Sequence, residues 1–553
     1  MMAETQIVSA ATTEAIPETK QDPPKTFEIG LVMAGAVSAG AYTAGVLDFL
    51  MEALQTWEDL KLKGEKDVPT HQVKIKVLTG ASAGAITAAV LASSVRHRNF
   101  PFTNPRPLRE TWVNQVDIEG FLGVTDFGDK DPENGKTLVK SLLDSAFLDR
   151  IGDKVFTQAW DQETWPTYLS DPLQLYFTVT NLRGVPYSID FTAGTPGQDF
   201  GMAMHSDYMH FILSPTGKTA QAMNHALPLG NPGNRHYLEG NWSLLKNAAL
   251  ASGAFPIGLA ARILERAGIA EYNDRPWPIR LQGHPTEGHC KCMETRKIPP
   301  AWPSPWPDSI TPDNWSFRFV NVDGGVANNE PFELARRCLA EDDLLNKRPG
   351  NIADRAVLMI DPFPNSASVD FDYDGLYPNG GQKIFSKLGL FSVIGALIDA
   401  VTNQLRFKME ELELAKNEDI HSRWVISPSR YIISPHGEEQ PAKYALASDG
   451  LFAFAGFMRK SFREHDYQLG RRNCQKFLMD IFVLRDDNPV FQGKWTAETM
   501  DSYGINKTEA DKPSAPGRYL PVIPLYGDCK TREELPPLWP QMDPNSDATR
   551  LYF

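Results

Sequence analysis

The chain has 553 residues, 42% of them hydrophobic and 22% charged, with a formal net charge of −14. Such a length buries a large core, either in about two to four domains or in one α/β unit with insertions. The acidic balance excludes a nucleic-acid partner, which wants a basic face, and disfavours anionic lipid surfaces while leaving neutral and zwitterionic substrates open.

Five cysteines at uneven spacing make no disulfide framework for a chain this large, so a reducing, cytoplasmic setting is expected, with peripheral contact to a membrane left open. Residues 1–25 carry Glu4, Glu14 and Glu18 without a basic start or a continuous apolar block. They read as a disordered tail, neither signal peptide nor membrane span. Order begins at the β-type run Phe27-Glu28-Ile29-Gly30-Leu31-Val32-Met33, followed by the small-residue loop Ala34-Gly35-Ala36-Val37-Ser38-Ala39-Gly40. A helix comes next, with Val46, Leu47, Leu50, Leu54 and Trp57 on one face. A strand, a glycine-bearing loop and a helix can hold an anion. The loop lacks Gly-Lys-Ser/Thr and does not fit G-x-G-x-x-G, which speaks against a nucleotide. The reading left is that Gly35, Ala36 and Val37 offer backbone N–H groups to an oxyanion.

Residues 73–78 are β-rich, meet Gly80-Ala81-Ser82-Ala83-Gly84, and pass into the helix-forming run 85–91. A serine at the apex of such a strand-to-helix turn sits in a strained conformation, and Gly80 and Gly84 remove the Cβ atoms that would clash across the corner. The N–H groups opening the helix face the same spot. The chemical reading is a nucleophilic serine; the bland one is a tight packing turn.

Residues 100–172 are loose in pattern, with a short helical run at 136–147, and look like an insertion over the active face. A strand is predicted at 173–180, and a small-residue helix broken by Pro256 at 248–264. A second insertion, near 265–315, holds His284, His289, Cys290 and Cys292. These could ligate zinc, but Cys-x-Cys is tight and no second pair follows, so a surface loop with free thiols is the better reading and no metal is expected. The strand 316–322 delivers Asp323-Gly324-Gly325 and then Asn328-Asn329. A carboxylate there sits where open α/β sheets keep their sites, and it can at the same time close an Asx turn. Another strand ends at Asp361, read as a turn residue. The apolar helical pattern over 384–414 reads as a buried core helix rather than a lipid-facing lid. Short helices are expected at 451–462 and 473–483, with Arg471-Arg472 in exposed ion pairs rather than on a phosphate head group. Residues 486–553 are Pro-rich and read as an extension packed on the body.

Three strings together, Leu31-Val32-Met33-Ala34-Gly35 through Gly40-Ala41-Tyr42-Thr43-Ala44-Gly45-Val46-Leu47, the Gly80–Gly84 elbow, and Asp323-Gly324-Gly325 with Asn328-Asn329, resemble the patatin-like phospholipases in kind and order. The resemblance spans residues 27–340 with insertions. It implies a three-layer α/β/α sandwich, here occupying 26–485 between the 1–25 tail and the 486–553 extension, with large insertions. It also implies a lipid acyl hydrolase, a phospholipase or carboxylesterase, working through an acyl-enzyme on a lipid or other acyl ester, with no cofactor. Ser82 would be the nucleophile and Asp323 its base, in a dyad without histidine, with Gly80, Gly84, Gly324 and Gly325 shaping the two turns. The family's usual oxyanion loop is Gly-Gly-Gly-x-Arg/Lys-Gly, whereas this chain has Gly35-Ala36-Val37-Ser38-Ala39-Gly40. A non-glycine residue at positive φ there costs about 1 to 2 kcal/mol. This departure supports the alternative of a non-catalytic lipid-binding or scaffold protein on the same fold. Of the histidines after Asp323, namely His421, His436 and His465, His436 is the best placed for a triad, and Ser434-Pro435-His436-Gly437 reads as a surface turn. The rate is therefore expected to follow a carboxylate, with no imidazole step near a pH of about 6.5.

Overall fold

The structure is a computed structural model and describes residues 26–131, 133–156, 160–190, 199–215, 225–231, 236–267, 270–273, 275–280, 293–302, 316–340, 346–364, 420–433, 437–442, 444–449, 453–507, 516–532, 534 and 538–540. In chain order, β1 (Thr26–Met33) leads into helix α1 (Gly40–Lys63), and β2 (Gln72–Gly80) into α2 (Ala83–Ser94). There follow β3 (Leu169–Asp190), β4 (Asp199–Leu213), β5 (Leu227–Leu229), β6 (Arg262–Ala267), the hairpin strands β7 (Pro276–Arg280) and β8 (Met293–Lys297), β9 (Ser316–Asp323), β10 (Arg355–Ile360) and β11 (Arg423–Ile426). Nine of these form one sheet, in the order β11-β10-β1-β2-β3-β4-β5, with β9 joined to β3 and β6 to β9. β11, β10, β1, β2 and β3 run parallel, while β4 and β9 are antiparallel to β3.

The period-2 pattern of β1 explains the layering. Ile29, Leu31 and Met33 point into a core shared with α1 and α2, while Val32 joins Val77, Val357 and Met359 under the helix Phe332–Ala340 on the other face. The result is the three-layer α/β/α sandwich. α1 is buried well beyond the single apolar face legible in its sequence, because the helix Lys460–Lys476 lies against its outer side. Two glycines permit that approach. A Cβ on Gly45 would stand 2.0 Å from the Tyr467 carbonyl oxygen, and one on Gly470 would stand 2.2 Å from that of Tyr42.

Several local expectations change. The helix expected at 136–147 starts instead at Ala146 and runs to Phe156. Two buried carboxylates take the backbone N–H groups ahead of it: Asp126 accepts from Ser145 at 2.7 Å, and Asp144 accepts from Thr125 at 3.1 Å and Ala146 at 2.8 Å. Such side-chain acceptors offer the backbone an alternative to a helix. The region 451–462 divides at the extended Arg459 into the short helix Ala455–Met458 and the helix Lys460–Lys476, which also absorbs the start of the expected 473–483 helix. The small-residue helix ends at Ser252, before Pro256, and gives way to a turn and then β6. Arg471 is buried rather than exposed, paired with Glu534 at 2.7 Å and Glu52 at 3.0 Å. Asp361 closes a turn by accepting the Phe363 N–H at 2.9 Å. After residue 486, the strands Ile505–Lys507 and Gly517–Pro521 build a small antiparallel sheet with Val483–Arg485, and Phe491, Leu520, Val522 and Ile523 enter the main core. The 384–414 pattern, His436, and the His284, His289, Cys290 and Cys292 group lie outside the described residues.

Gly45→Ala is expected to destabilise the protein although alanine is the better helix former by about 1 kcal/mol, because overpacking backbone against backbone costs about 1 to 3 kcal/mol. A lowered thermal unfolding midpoint is the measurement; an unchanged or raised midpoint would show that the two helices can part.

Candidate active site

β1 and β2 end level with one another, Met33 beside Gly80, so the loops after them meet at one sheet edge. The Ala81 N–H donates to the Met33 carbonyl at 3.2 Å. Two turns cross here without room for side chains. A Cβ on Gly84 would lie 2.1 Å from the Met33 oxygen, and one on Gly80 would lie 2.6 Å from the Ala85 nitrogen. Ser82, at the apex, takes φ 51° and ψ −126°, the strained geometry expected of an exposed nucleophile.

Asp323 arrives from the opposite direction. β9 is antiparallel to β3 and sets Asp323 beside Val179, just past the level where Gly80 pairs with Phe177. The carboxylate therefore reaches the site on a strand descending toward it, not on one of the parallel strands rising to it. Its Oδ2 accepts the Ser82 hydroxyl at 2.6 Å and its Oδ1 accepts the Gly325 N–H at 2.6 Å, so the Asx turn and the serine contact coexist. Gly324 is obligatory, since a Cβ would stand 2.1 Å from the Thr178 carbonyl oxygen.

The serine and aspartate are bolted together by a turn that sequence reasoning does not reveal. The Ser252 hydroxyl accepts the Ser82 N–H at 2.8 Å, the Ser252 carbonyl accepts from Gly324 at 3.0 Å, and the Ala254 carbonyl accepts from Asp323 at 2.9 Å. The only trace of this in the sequence is the small-residue run Ala251-Ser252-Gly253-Ala254, whose close packing is legible but whose partner is not.

Burial raises the Asp323 pKa from the ordinary 3.8 to about 7, against the smaller opposing effects of the Ser82 and Gly325 hydrogen bonds. The loop 35–40 is less uniform than its sequence implies. Gly35 donates its N–H to the Asn329 carbonyl at 3.3 Å, whereas among the described residues the N–H groups of Ala36 and Val37 have no protein acceptor. Val37 holds φ 49°, so a valine occupies a conformation that suits glycine. Ser38 is buried and turned away, its hydroxyl donating to the Ala453 carbonyl, which removes it as an oxyanion donor.

Above the pair opens an apolar cavity, walled by Ile86 and Val90 of α2, Leu148, Ile151 and Val155, Ala249 and Leu250, Phe121, Phe454 and Phe457, with Val37, Ser82 and Asp323 also on its surface. Among the described residues no histidine lines it. His465 instead bonds Asp466 at 2.8 Å, and His421 packs beside Tyr519.

The sequence model of the family described as Patatin-like phospholipase matches residues 31–336, more than half of the chain. The protein belongs to the patatin-like phospholipase family. Membership supports a lipid acyl hydrolase in general. The chain is also 37% identical over 550 residues to a Sinorhizobium fredii protein titled "Uncharacterized protein y4iI", covering 95% of this chain and 74% of that one. Among solved structures, VipD from Legionella pneumophila aligns at 11% identity over 82% of this chain and 67% of that one, with a TM-score of 0.22, too slight a likeness to argue from. The patatin-like match includes Ser82, Asp323 and the loop 35–40 but leaves out Phe454 and Phe457 on the cavity wall.

The displaced pKa of Asp323 has a stability consequence. A carboxyl whose folded value is raised keeps its contribution below the unfolded pKa of 3.8 and loses it as the pH climbs through about 7. At pH 8 the buried charge then costs about 4 kcal/mol. Asp323→Asn, which cannot ionise, should unfold later than the parent at pH 8 and together with it near pH 4; denaturation curves at the two pH values check this, and a parent protein equally stable at both would contradict it.

Proposed function

We propose that the protein hydrolyses lipid acyl esters through a Ser82–Asp323 dyad and an acyl-enzyme. The observation that carries this reading is the 2.6 Å hydrogen bond from the Ser82 hydroxyl to a buried carboxylate at the surface of an apolar cavity. Ionised Asp323 takes the proton as the Ser82 oxygen attacks the ester carbonyl, and the N–H groups of Ala36 and Val37 stand ready to hold the oxyanion. Collapse of that intermediate expels the alcohol, which leaves with the proton from Asp323. The carboxylate then deprotonates a water that attacks the acyl-serine, and the acid product departs as Ser82 recovers its proton.

The cavity favours medium-length acyl chains. Ser82, Ile86 and Val90 lie along one side of α2, and eight residues at 1.5 Å each give an apolar wall of about 12 Å along which an acyl chain can lie. Val155 and Phe156 close the far end, their carbonyls held by Ser93 at 2.8 Å and Arg96 at 3.1 and 3.3 Å.

The second reading, lipid binding without turnover, draws on the bonded Gly35 N–H and the strained Val37. A fluorophosphonate probe separates the two, since only a working serine is labelled. Parent protein should label and turn over p-nitrophenyl esters of short and medium chain, and Ser82→Ala should do neither, with kcat down about a thousandfold or more. Equal rates for both proteins would end the catalytic reading.

kcat/KM should rise with pH through a single ionisation near 7, because Asp323 must lose its proton to act as base and burial raises its pKa to about 7. Burial thus moves the carboxylate step into the range where imidazole titrates, so the position of the step does not identify the group. Its temperature dependence does: a carboxylate step stays nearly fixed on warming, whereas an imidazole step moves down. A marked downward shift, or full activity in Asp323→Asn, would reject the dyad.

A further inference from the structure

Three separated segments form a rim beside the cavity: 121–124, 138–143 and 255–259. They are fixed by backbone bonds, from Asp144 to the Phe121 carbonyl at 2.9 Å, from Leu142 to Ile257 at 2.9 Å and from Leu143 to Gly258 at 3.0 Å. Phe121, Leu143 and Leu259 line the cavity, and their near neighbours point out to solvent. Leu122 is 67% exposed, Val124 76%, Leu142 64% and Ile257 63%, and Phe255 both lines the cavity and stands half out of it. Scattered exposed apolar residues need no explanation, but a braced group of them at a cavity mouth marks an interaction surface.

Ile257 sharpens the point. It is a β-branched residue at φ 71°, a conformation that asparagine or glycine adopts at less cost. Neither local stability nor solubility accounts for isoleucine at that position. The occupant must also suit the charge around it. Residues 117–150 carry eight acidic and four basic side chains, and the whole chain has a net charge of −14, so a basic or zwitterionic partner is favoured over an anionic one.

Resting on the hydrolase reading above, we infer that this rim seats the protein on a zwitterionic lipid bilayer, with Leu122, Val124, Leu142 and Ile257 dipping into the head-group boundary. An acyl chain leaving the bilayer then passes from lipid across Phe255 to the cavity wall without crossing water. Among the described residues no helix is long and apolar enough to cross a membrane.

The test uses the full chain and a variant carrying Leu122→Ser, Val124→Ser, Leu142→Ser and Ile257→Asn, none of which lines the cavity. Flotation with phosphatidylcholine vesicles and turnover of an ester embedded in them should both fall about tenfold or more in the variant. Turnover of a monomeric short-chain p-nitrophenyl ester should stay within about twofold, as for surface changes away from packing. Ser82→Ala should float like the parent, so the docking surface is judged by binding even if the catalytic assignment fails. Unchanged flotation of the variant would overturn the inference. So would parallel loss on both substrates, tighter binding when phosphatidylserine is added, or a parent dimer that the variant dissolves.

Discussion

A carboxylate buried beside a serine, with no cation on the cavity wall among the described residues, is the constraint on which the site depends. Were an arginine or lysine placed against Asp323, its pKa would fall and the group would hold a serine proton poorly. Desolvation does the opposite and raises the carboxyl pKa to about 7. The stabilisation forgone by burying that charge has to come from elsewhere, and the surroundings of Asp323 are accordingly over-determined. The Thr180 hydroxyl holds its carbonyl at 2.7 Å, its N–H is bonded to Ala254, and Gly324 is pressed onto β3.

Backbone strain collects in the same region. Of the five non-glycine residues with positive φ among those described, Val37 and Ser82 face the cavity, Ile257 stands on its rim, and Ala453 receives the Ser38 hydroxyl beside Phe454. Such conformations cost about 1 to 3 kcal/mol each and persist only where packing leaves no choice. For Val37 that packing comes through Ser38, since Gly456 lies so close that a Cβ there would stand 2.3 Å from the Ser38 oxygen. The loop's missing glycines are thus compensated from the C-terminal half of the chain.

Legibility in the sequence tracks the range of the interactions. Ser82 with Gly80 and Gly84, and Asp323 with Gly324 and Gly325, are legible because each is a backbone problem solved within five residues, and glycine announces the solution. The direction of β9 is not legible, because a strand reads the same whichever way it pairs. Ser252 escapes notice for a related reason: an acceptor contributed from 170 residues away leaves no local pattern. Asp126 and Asp144 override a helical periodicity by capturing backbone N–H groups, and Arg471 reads as exposed because its partners Glu52 and Glu534 are remote in sequence.

The C-terminal half also finishes the apolar cavity. Phe457 meets Phe121 edge-on at a ring distance of 4.9 Å, Phe121 meets Phe147 at 4.5 Å, and Phe454 meets Phe457 at 5.5 Å. These contacts join a segment outside the family-matched span to the 100–172 region inside it. The helix after that segment packs along α1 through Gly45 and Gly470. α1 in turn begins at Gly40, directly after the loop that carries Val37. A displacement of the C-terminal helix would therefore act on both the cavity wall and the backbone of Val37. Ser82 and Asp323 lie in the matched span, but the surroundings that set their geometry are assembled from both halves of the chain, so the pair and the cavity wall are coupled through the same packing.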